Sequence, residues 1–167
     1  MKISLKKCNF GFEELNASGH IVSGLSLGID KNKVAAVLLN PIPQNRKEMM
    51  SVLLFSSFYR QQLKEFAIIA KALHRICDQQ TVFEMTQEKI EAYEKIKKSL
   101  TEAPLLLMPD WNIPFKLYID ACQDGLGADL HQVQIIDDKP TEGPVCYMSR
   151  EIKPTEARYV ASQMECL

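Results

Sequence analysis

The stretch Phe115-Lys116-Leu117-Tyr118-Ile119-Asp120-Ala121-Cys122-Gln123-Asp124-Gly125-Leu126-Gly127-Ala128-Asp129-Leu130-His131-Gln132 decides the fold. Phe115, Leu117 and Ile119 alternate with Lys116 and Tyr118, the period of a strand with one apolar face. That strand delivers Asp120 at its end. Gln123-Asp124-Gly125 reads as a turn, and Gly127 to Ile135 returns as a second strand. Asp137-Asp138-Lys139 turns again, and Val145 to Met148 supplies a third strand. Pro154 suits the first turn of a final helix, on which Ala161 and Glu165 share a face four residues apart. A strand-end carboxylate and a helix carboxylate brought together over a meander can hold a divalent ion. Hard oxygen ligands suit Mg²⁺, and two such ions drive in-line phosphodiester cleavage. Taken bare, the pattern is weak: a strand-end Asp is commonly a cap or turn residue, and a lone helix Glu is commonly solvated.

Upstream of this meander the pattern is helical. Met49, Met50, Leu53 and Leu54 recur at helical spacing, as do Phe66, Ile69, Leu73 and Ile76. Thr86 is placed to cap a third helix, with Glu88 favourable in its first turn and a stripe of Ile90, Tyr93, Ile96 and Leu100. Ala103-Pro104 ends it. Pro41 and Pro43 bar any helix from crossing that point, because the residue before a proline avoids the helical region. Residues 1–30 read as two short strands and turns. One lies within Lys6–Phe12 and one is His20-Ile21-Val22, with Gly19, Gly24 and Gly28 as punctuation. Two such strands are too few for a stable sheet.

The 167 residues are 46% hydrophobic and 25% charged, an ordinary globular composition for one domain or two small ones. The formal net charge of −1 hides an uneven distribution. Six basic residues against two acidic ones lie between Arg46 and Arg75, whereas five basic against ten acidic follow Leu105. A basic middle and an acidic end fit a phosphate-gripping region beside a metal-binding one, or simply two solvated surfaces. Five cysteines, odd in number and without a Cys-x-x-Cys pair, read as reduced and mostly buried thiols of an intracellular protein, in cytoplasm or nucleus. His20, His74 and His131 lack zinc-ligand spacing. No apolar run reaches the ~18 residues of a membrane span, so no membrane partner is expected.

An ordered series of motifs carries a resemblance over nearly the whole chain. Lys7-Cys8-Asn9-Phe10-Gly11, Ser18-Gly19-His20-Ile21-Val22-Ser23 and Gly28-Ile29-Asp30 resemble the end of the palm of reverse transcriptases from gypsy-type LTR retrotransposons. Pro41-Ile42-Pro43, Phe58-Tyr59-Arg60, Phe66-Ala67-Ile68-Ile69-Ala70 and Leu100-Thr101-Glu102-Ala103-Pro104 resemble their thumb. Ile119-Asp120-Ala121, Gly125-Leu126-Gly127-Ala128, Gln132, Ser149-Arg150, Glu156, Tyr159 and Glu165 resemble the opening half of their ribonuclease H domain. Any one motif is weak; the order is specific.

The resemblance implies an α+β chain in three parts: a short β-hairpin palm remnant (1–40), a helical thumb (41–104), and a truncated ribonuclease H-like mixed sheet with one helix (105–167). It implies that Gly19 and His20 form the primer grip, and that Tyr59, Arg60 and Lys64 meet the duplex backbone. Asp120 and Glu165 match the first two of the family's four metal-binding carboxylates. The other two, and the polymerase aspartates, match nothing in this sequence. Mg²⁺ is the family's ion, expected not to be held stably by this chain alone. The implied partner is a primer–template or RNA–DNA duplex, together with the rest of a polyprotein or another protein.

The departures bear on those roles. Ser18 stands for a usual leucine before the primer-grip glycine, and Ser56-Ser57-Phe58-Tyr59-Arg60-Gln61 for a Gly-Leu pair and a Tyr-Tyr-Arg-Arg run. Glu84-Met85 replaces a usual Trp, Cys122 a usual Ser and Gln163 a usual Glu. Asp129 stands where an apolar residue is usual in the second nuclease strand, so it must point outward, pair or be protonated. Three readings follow: a duplex-binding fragment that does not cleave alone, a domesticated remnant serving as an interaction module, or an unselected reading frame.

Overall fold

A computed structural model describes residues 8, 10–79, 81–122, 124–153 and 155–159. Glu165 and the helix expected to carry Ala161 and Glu165 lie outside the described residues, as do Lys6, Lys7 and Pro154. The remaining architecture is α+β: two antiparallel sheets and four helices.

The first sheet begins with strands β1 (Glu14–Ala17), β2 (His20–Ser23) and β3 (Ser26–Ile29). Three strands form here, where sequence periodicity suggested two, and Phe10 and Phe12 stay exposed outside them. Ala17 pairs with His20 across Ser18-Gly19, whose φ angles are 52° and 83°. Two successive left-handed residues make a turn whose twist matches that of the strands, so the hairpin is tight. A short helix, α1 (Lys31–Leu38), follows without having been anticipated. Its start is fixed by Asp30, whose carboxylate accepts the Asn32 N–H at 2.9 Å.

Helices α2 (Arg46–Phe58), α3 (Phe66–Cys77) and α4 (Gln87–Thr101) form the helical region. Their common core holds Met49, Leu53, Leu63, Leu73, Ile76, Tyr93 and Ile96, and α1 adds Val34 and Val37. On α2 the buried face runs through Met49, Val52, Leu53 and Ser56, so Met50 and Leu54 of the expected stripe point to solvent. Ser56 tolerates burial because its hydroxyl donates to the Val52 carbonyl at 2.8 Å. Thr86 occupies the N-cap of α4, but its side chain makes no capping bond. The Tyr93 hydroxyl donates to the carbonyls of Asn40 and Pro41, which ties the proline boundary to α4.

Strand β4 (Leu106–Leu107) pairs with β3, so the first sheet is completed from beyond the helices. The second sheet is the meander β5 (Phe115–Ala121), β6 (Gly125–Ile136) and β7 (Lys139–Glu151). Its second turn, Asp137-Asp138, again has two positive φ angles, 51° and 59°. A register shift between Leu130 and His131 lets β7 bend. Gln132, on the central strand β6, is fully buried. It accepts the Asp110 N–H and donates to the carbonyls of Asp110 and Ile113, pinning the loop that enters β5. Cys77 and Cys146 are half-buried and Cys122 is exposed, so these thiols are less enclosed than the sequence suggested.

Candidate nucleic-acid interface

The first functional group forms at the tip of the β1–β2 hairpin. Gly19 has φ +83°, a conformation that costs other residues roughly 1–2 kcal/mol. A methyl group there would lie 2.8 Å from the Tyr59 hydroxyl. That hydroxyl donates to the Gly19 carbonyl at 2.9 Å, and the Asp30 N–H donates to the same oxygen at 3.0 Å. Asp30 is itself oriented by the Asn16 amide at 2.7 Å, and this bond, then the Asn32 N–H, holds its carboxyl below the usual range. His20 follows directly, and its ring packs 5.1 Å from both Phe58 and Tyr59. Gln62, also buried, donates to the Leu27 carbonyl, a second tie from helical region to sheet.

Tyr59 is only 2% exposed, and burial raises its phenol pKa, with the Asp30 charge adding to the shift. Its polar edge is consumed by Gly19 and cannot reach a duplex. Phe58, beside it, is 56% exposed and edge-on to Tyr59 at 4.9 Å. Arg60 is exposed in a 3-10 turn and makes no ion pair among the described residues. The hairpin tip therefore sets His20 against Phe58 at the end of α2, with Tyr59 as the clasp beneath and the exposed Arg60 next in sequence.

The second group forms where α3 meets the meander. Asp120 is exposed on β5, opposite Gly127 on β6, which is opposite Ser149 on β7. Alternation along the strands puts Lys116, Tyr118 and Asp120 on one face with Asp129 and Ser149. That face receives the start of α3. The Ala67 N–H, left over at the first turn of the helix, donates to the Ser149 hydroxyl at 2.9 Å. The backbone is close at Gly125, where a Cβ would lie 2.5 Å from Ile68. Lys64, in the loop before α3, pairs with Asp129 at 2.8 Å. This hydrogen bond raises the Lys64 pKa. It also resolves the charge that the sequence placed in a half-buried strand: Asp129 pairs.

The donor chemistry of Asp120 suits a hard cation, since its carboxylate is exposed. Among the described residues, however, no group of three His, Cys, Asp or Glu side chains could hold a metal. Glu165, the second carboxylate of the expected pair, lies outside the described residues. Further down the same face, Glu142 accepts from Lys116 at 2.5 Å and from Tyr118 at 2.7 Å. Those bonds lower the Glu142 pKa, the lysine contributing most. Sequence reading missed Phe58, Gln62 and the helix-capping role of Ser149. Only the exposure of one aromatic in a pair, which no local pattern reveals, separates Phe58 from Tyr59.

Residues 85–167 match the family described as the RNase H-like domain found in reverse transcriptase. The retrovirus-related Pol polyprotein from transposon 297 of Drosophila melanogaster is 33% identical over 168 residues, covering all of this chain and 15% of that polyprotein. The Pol polyprotein from transposon gypsy of the same species is 29% identical, again over the whole chain and 16% of its own length. The Gag-Pol polyprotein of Koala retrovirus is 28% identical over 92% of this chain and 9% of its own. The chain thus spans less than a fifth of the curated relatives it matches. Among solved structures, a foamy viral protease-reverse transcriptase in complex with RNA/DNA hybrid superposes with a TM-score of 0.76 at 20% identity, over 96% of this chain and 21% of that one. A second, in complex with dsDNA, gives 0.75 over 91% and 31%. At these identities the likeness establishes the fold. No helix of the described residues is long and apolar enough to cross a membrane.

Proposed function

We propose, on the match of residues 85–167 to the RNase H-like domain found in reverse transcriptase, that this chain is a reverse transcriptase/ribonuclease H segment that grips a primer–template or RNA–DNA duplex without completing catalysis itself. In this reading 1–40 is the palm end with its primer grip, 41–104 the thumb, and 105–167 the opening of the nuclease domain. The observation that carries it is the clasped hairpin tip. Gly19 and His20 are held against the end of α2 by the Tyr59 hydroxyl, which sets the His20 ring against Phe58 and Tyr59, and the exposed Arg60 follows Tyr59 in sequence. A clasped imidazole and an exposed guanidinium next to the clasping residue in sequence suit phosphate and sugar contacts. Lys64 extends the basic track toward the face that carries Asp120.

Asp120 and Glu165 would be the chain's contribution to an Mg²⁺ site. Mg²⁺, when bound, activates water and stabilises the charge of the scissile phosphate. Asp120 offers an oxygen ligand from a strand braced by β6 and β7. With two of the four family carboxylates matched, the ion geometry needs residues from elsewhere.

The test is fluorescence anisotropy of a labelled RNA–DNA hybrid across a salt series. The expected affinity falls linearly with salt on a log–log plot, and Arg60→Gln makes that slope shallower by about 1. Binding that is salt-independent, or absent at low salt, would refute the duplex reading. Hybrid cleavage with Mg²⁺ that Asp120→Asn abolishes would refute the non-catalytic part.

A second reading is a protein-interaction module, and one observation favours it. On the other face of the meander Leu117, Ile119 and Met148 are exposed, Ile119 by 64%. Apolar residues gathered on an uncovered sheet face attract partners. A stable protein complex lost on Ile119→Asp, with no hybrid binding at low salt, would select this reading.

A further inference from the structure

Lys64 and Asp129 form an ion pair across the junction of the helical region and the meander, and its two members differ in exposure. The Lys64 side chain is 61% exposed, whereas that of Asp129 is 16% exposed. Asp129 sits on β6 between its cross-strand neighbours Tyr118 on β5 and Tyr147 on β7. Burial pushes the Tyr147 phenol pKa up, and the Asp129 charge pushes it further in the same direction. A carboxylate flanked by two tyrosines in a half-buried strand needs a counter-charge, and Lys64 is the described cation that supplies it. Glu65, next in sequence, adds a second negative charge near the ammonium. Lys71 is engaged in the same way one helical stretch later, by Asp124 at 3.0 Å. Arg60, by contrast, has no such partner among the described residues.

Resting on the duplex reading above, we propose that Asp129 is an affinity-setting residue: it competes with nucleic-acid phosphate for Lys64 and removes one cation from the basic track. An ammonium drawn to a phosphate must leave Asp129 uncompensated, or share its donors between two anions. Either way the contact releases less counterion than a free lysine would. The inference depends on two residues of opposite charge that face each other across 65 positions of sequence.

The experiment uses the full 167-residue chain and a labelled RNA–DNA hybrid, with affinity measured at several KCl concentrations. Asp129→Asn keeps the side-chain shape and removes the charge. Asp129→Val offers a β-branched residue suited to a strand and carries the same expectation. Each should steepen the slope of log affinity against log salt by up to about 0.9, one phosphate's worth. Between 50 and 200 mM salt this amounts to roughly a threefold greater loss of affinity than for the unaltered chain. In a Lys64→Gln background the same substitutions should leave the slope unchanged. A general effect of deleting a negative charge would persist in that background, and its persistence overturns the proposal. So does an unchanged slope with Lys64 present while the chain still binds hybrid, which leaves the duplex reading standing. Absence of hybrid binding by every variant at low salt removes both.

Discussion

Replacing Gly19 with alanine tests whether the hairpin tip is fixed by the helical region or merely rests against it. Two separate costs are built into the site. The backbone at φ +83° is disfavoured for any residue with a Cβ, by roughly 1–2 kcal/mol. The new methyl would stand 2.8 Å from the Tyr59 hydroxyl, so the ring must withdraw and the bond to the Gly19 carbonyl breaks. Tyr59 is 2% exposed, so its freed hydroxyl finds no water, which adds about 1–3 kcal/mol. The sum is about 2–5 kcal/mol. A double-mutant cycle separates the parts. Tyr59→Phe alone should cost about 1 kcal/mol, because the Asp30 N–H still serves the Gly19 carbonyl. In that background the obstructing oxygen is gone, and the next atom of the ring, Cζ, lies at an ordinary 3.9 Å. Gly19→Ala should then cost only the backbone share. Urea unfolding followed by circular dichroism gives the four stabilities, and amide exchange at Asp30 reports the hairpin locally. A Gly19→Ala cost below about 0.5 kcal/mol, or one identical with and without the Tyr59 hydroxyl, would refute the clasp.

Gln132→Leu, similar in size, should leave the Asp110 N–H and the Asp110 and Ile113 carbonyls without partners, costing about 2–4 kcal/mol, with amide exchange at Asp110 accelerated before the rest of the sheet. Leu73→Ala, at a fully buried core position, should cost about 3 kcal/mol in urea unfolding and leave hybrid binding unchanged under conditions where the chain remains folded. Glu156 accepts both Arg150 guanidinium nitrogens and the Lys153 N–H, and the arginine, first of these causes, holds its pKa below the ordinary 4.5. A depressed folded-state pKa means that its stabilisation is complete above that ordinary value and is lost as pH falls through the depressed one. Glu156→Gln should therefore lower stability at neutral pH and flatten its decline in acid, as followed by urea midpoints from pH 7 downward; an unaltered acid limb would contradict the pairing.

The alternation from Phe115 to Ile119 and the turn residues around Gly125 and Asp137 were sufficient to read the meander, because strand period and turn chemistry are local. Helix positions were equally readable, but the face of α2 was not. Its apolar residues surround it, and the polar Ser56 is buried by bonding within its own helix. Helix α1 escaped notice because eight residues with two buried valines give little periodicity. The first sheet looked too small to stand because its fourth strand arrives from Leu106–Leu107, beyond four intervening helices.

The candidate site divides the same way. Side-chain chemistry is local, so histidine, arginine, lysine and aspartate could be nominated from sequence. Whether each is available depends on the group opposite, and that group lies far along the chain: Gly19 for Tyr59, separated by 40 residues, and Ser149 for the Ala67 amide, by 82. Tyr59 and Lys64 were nominated together as duplex contacts, yet a carbonyl occupies the first and a carboxylate engages the second. Arg60, one residue from Tyr59, has no such opponent among the described residues. On the proposed duplex reading the basic track is consequently narrower than its composition suggests, and its weight would fall on His20 and Arg60. Asp129, the residue that departs from the usual apolar position, accounts for part of that narrowing through its bond to Lys64. A charge introduced into a strand thus changes the surface at a loop, because the half-buried carboxylate must draw its counter-ion from the nearest flexible cation.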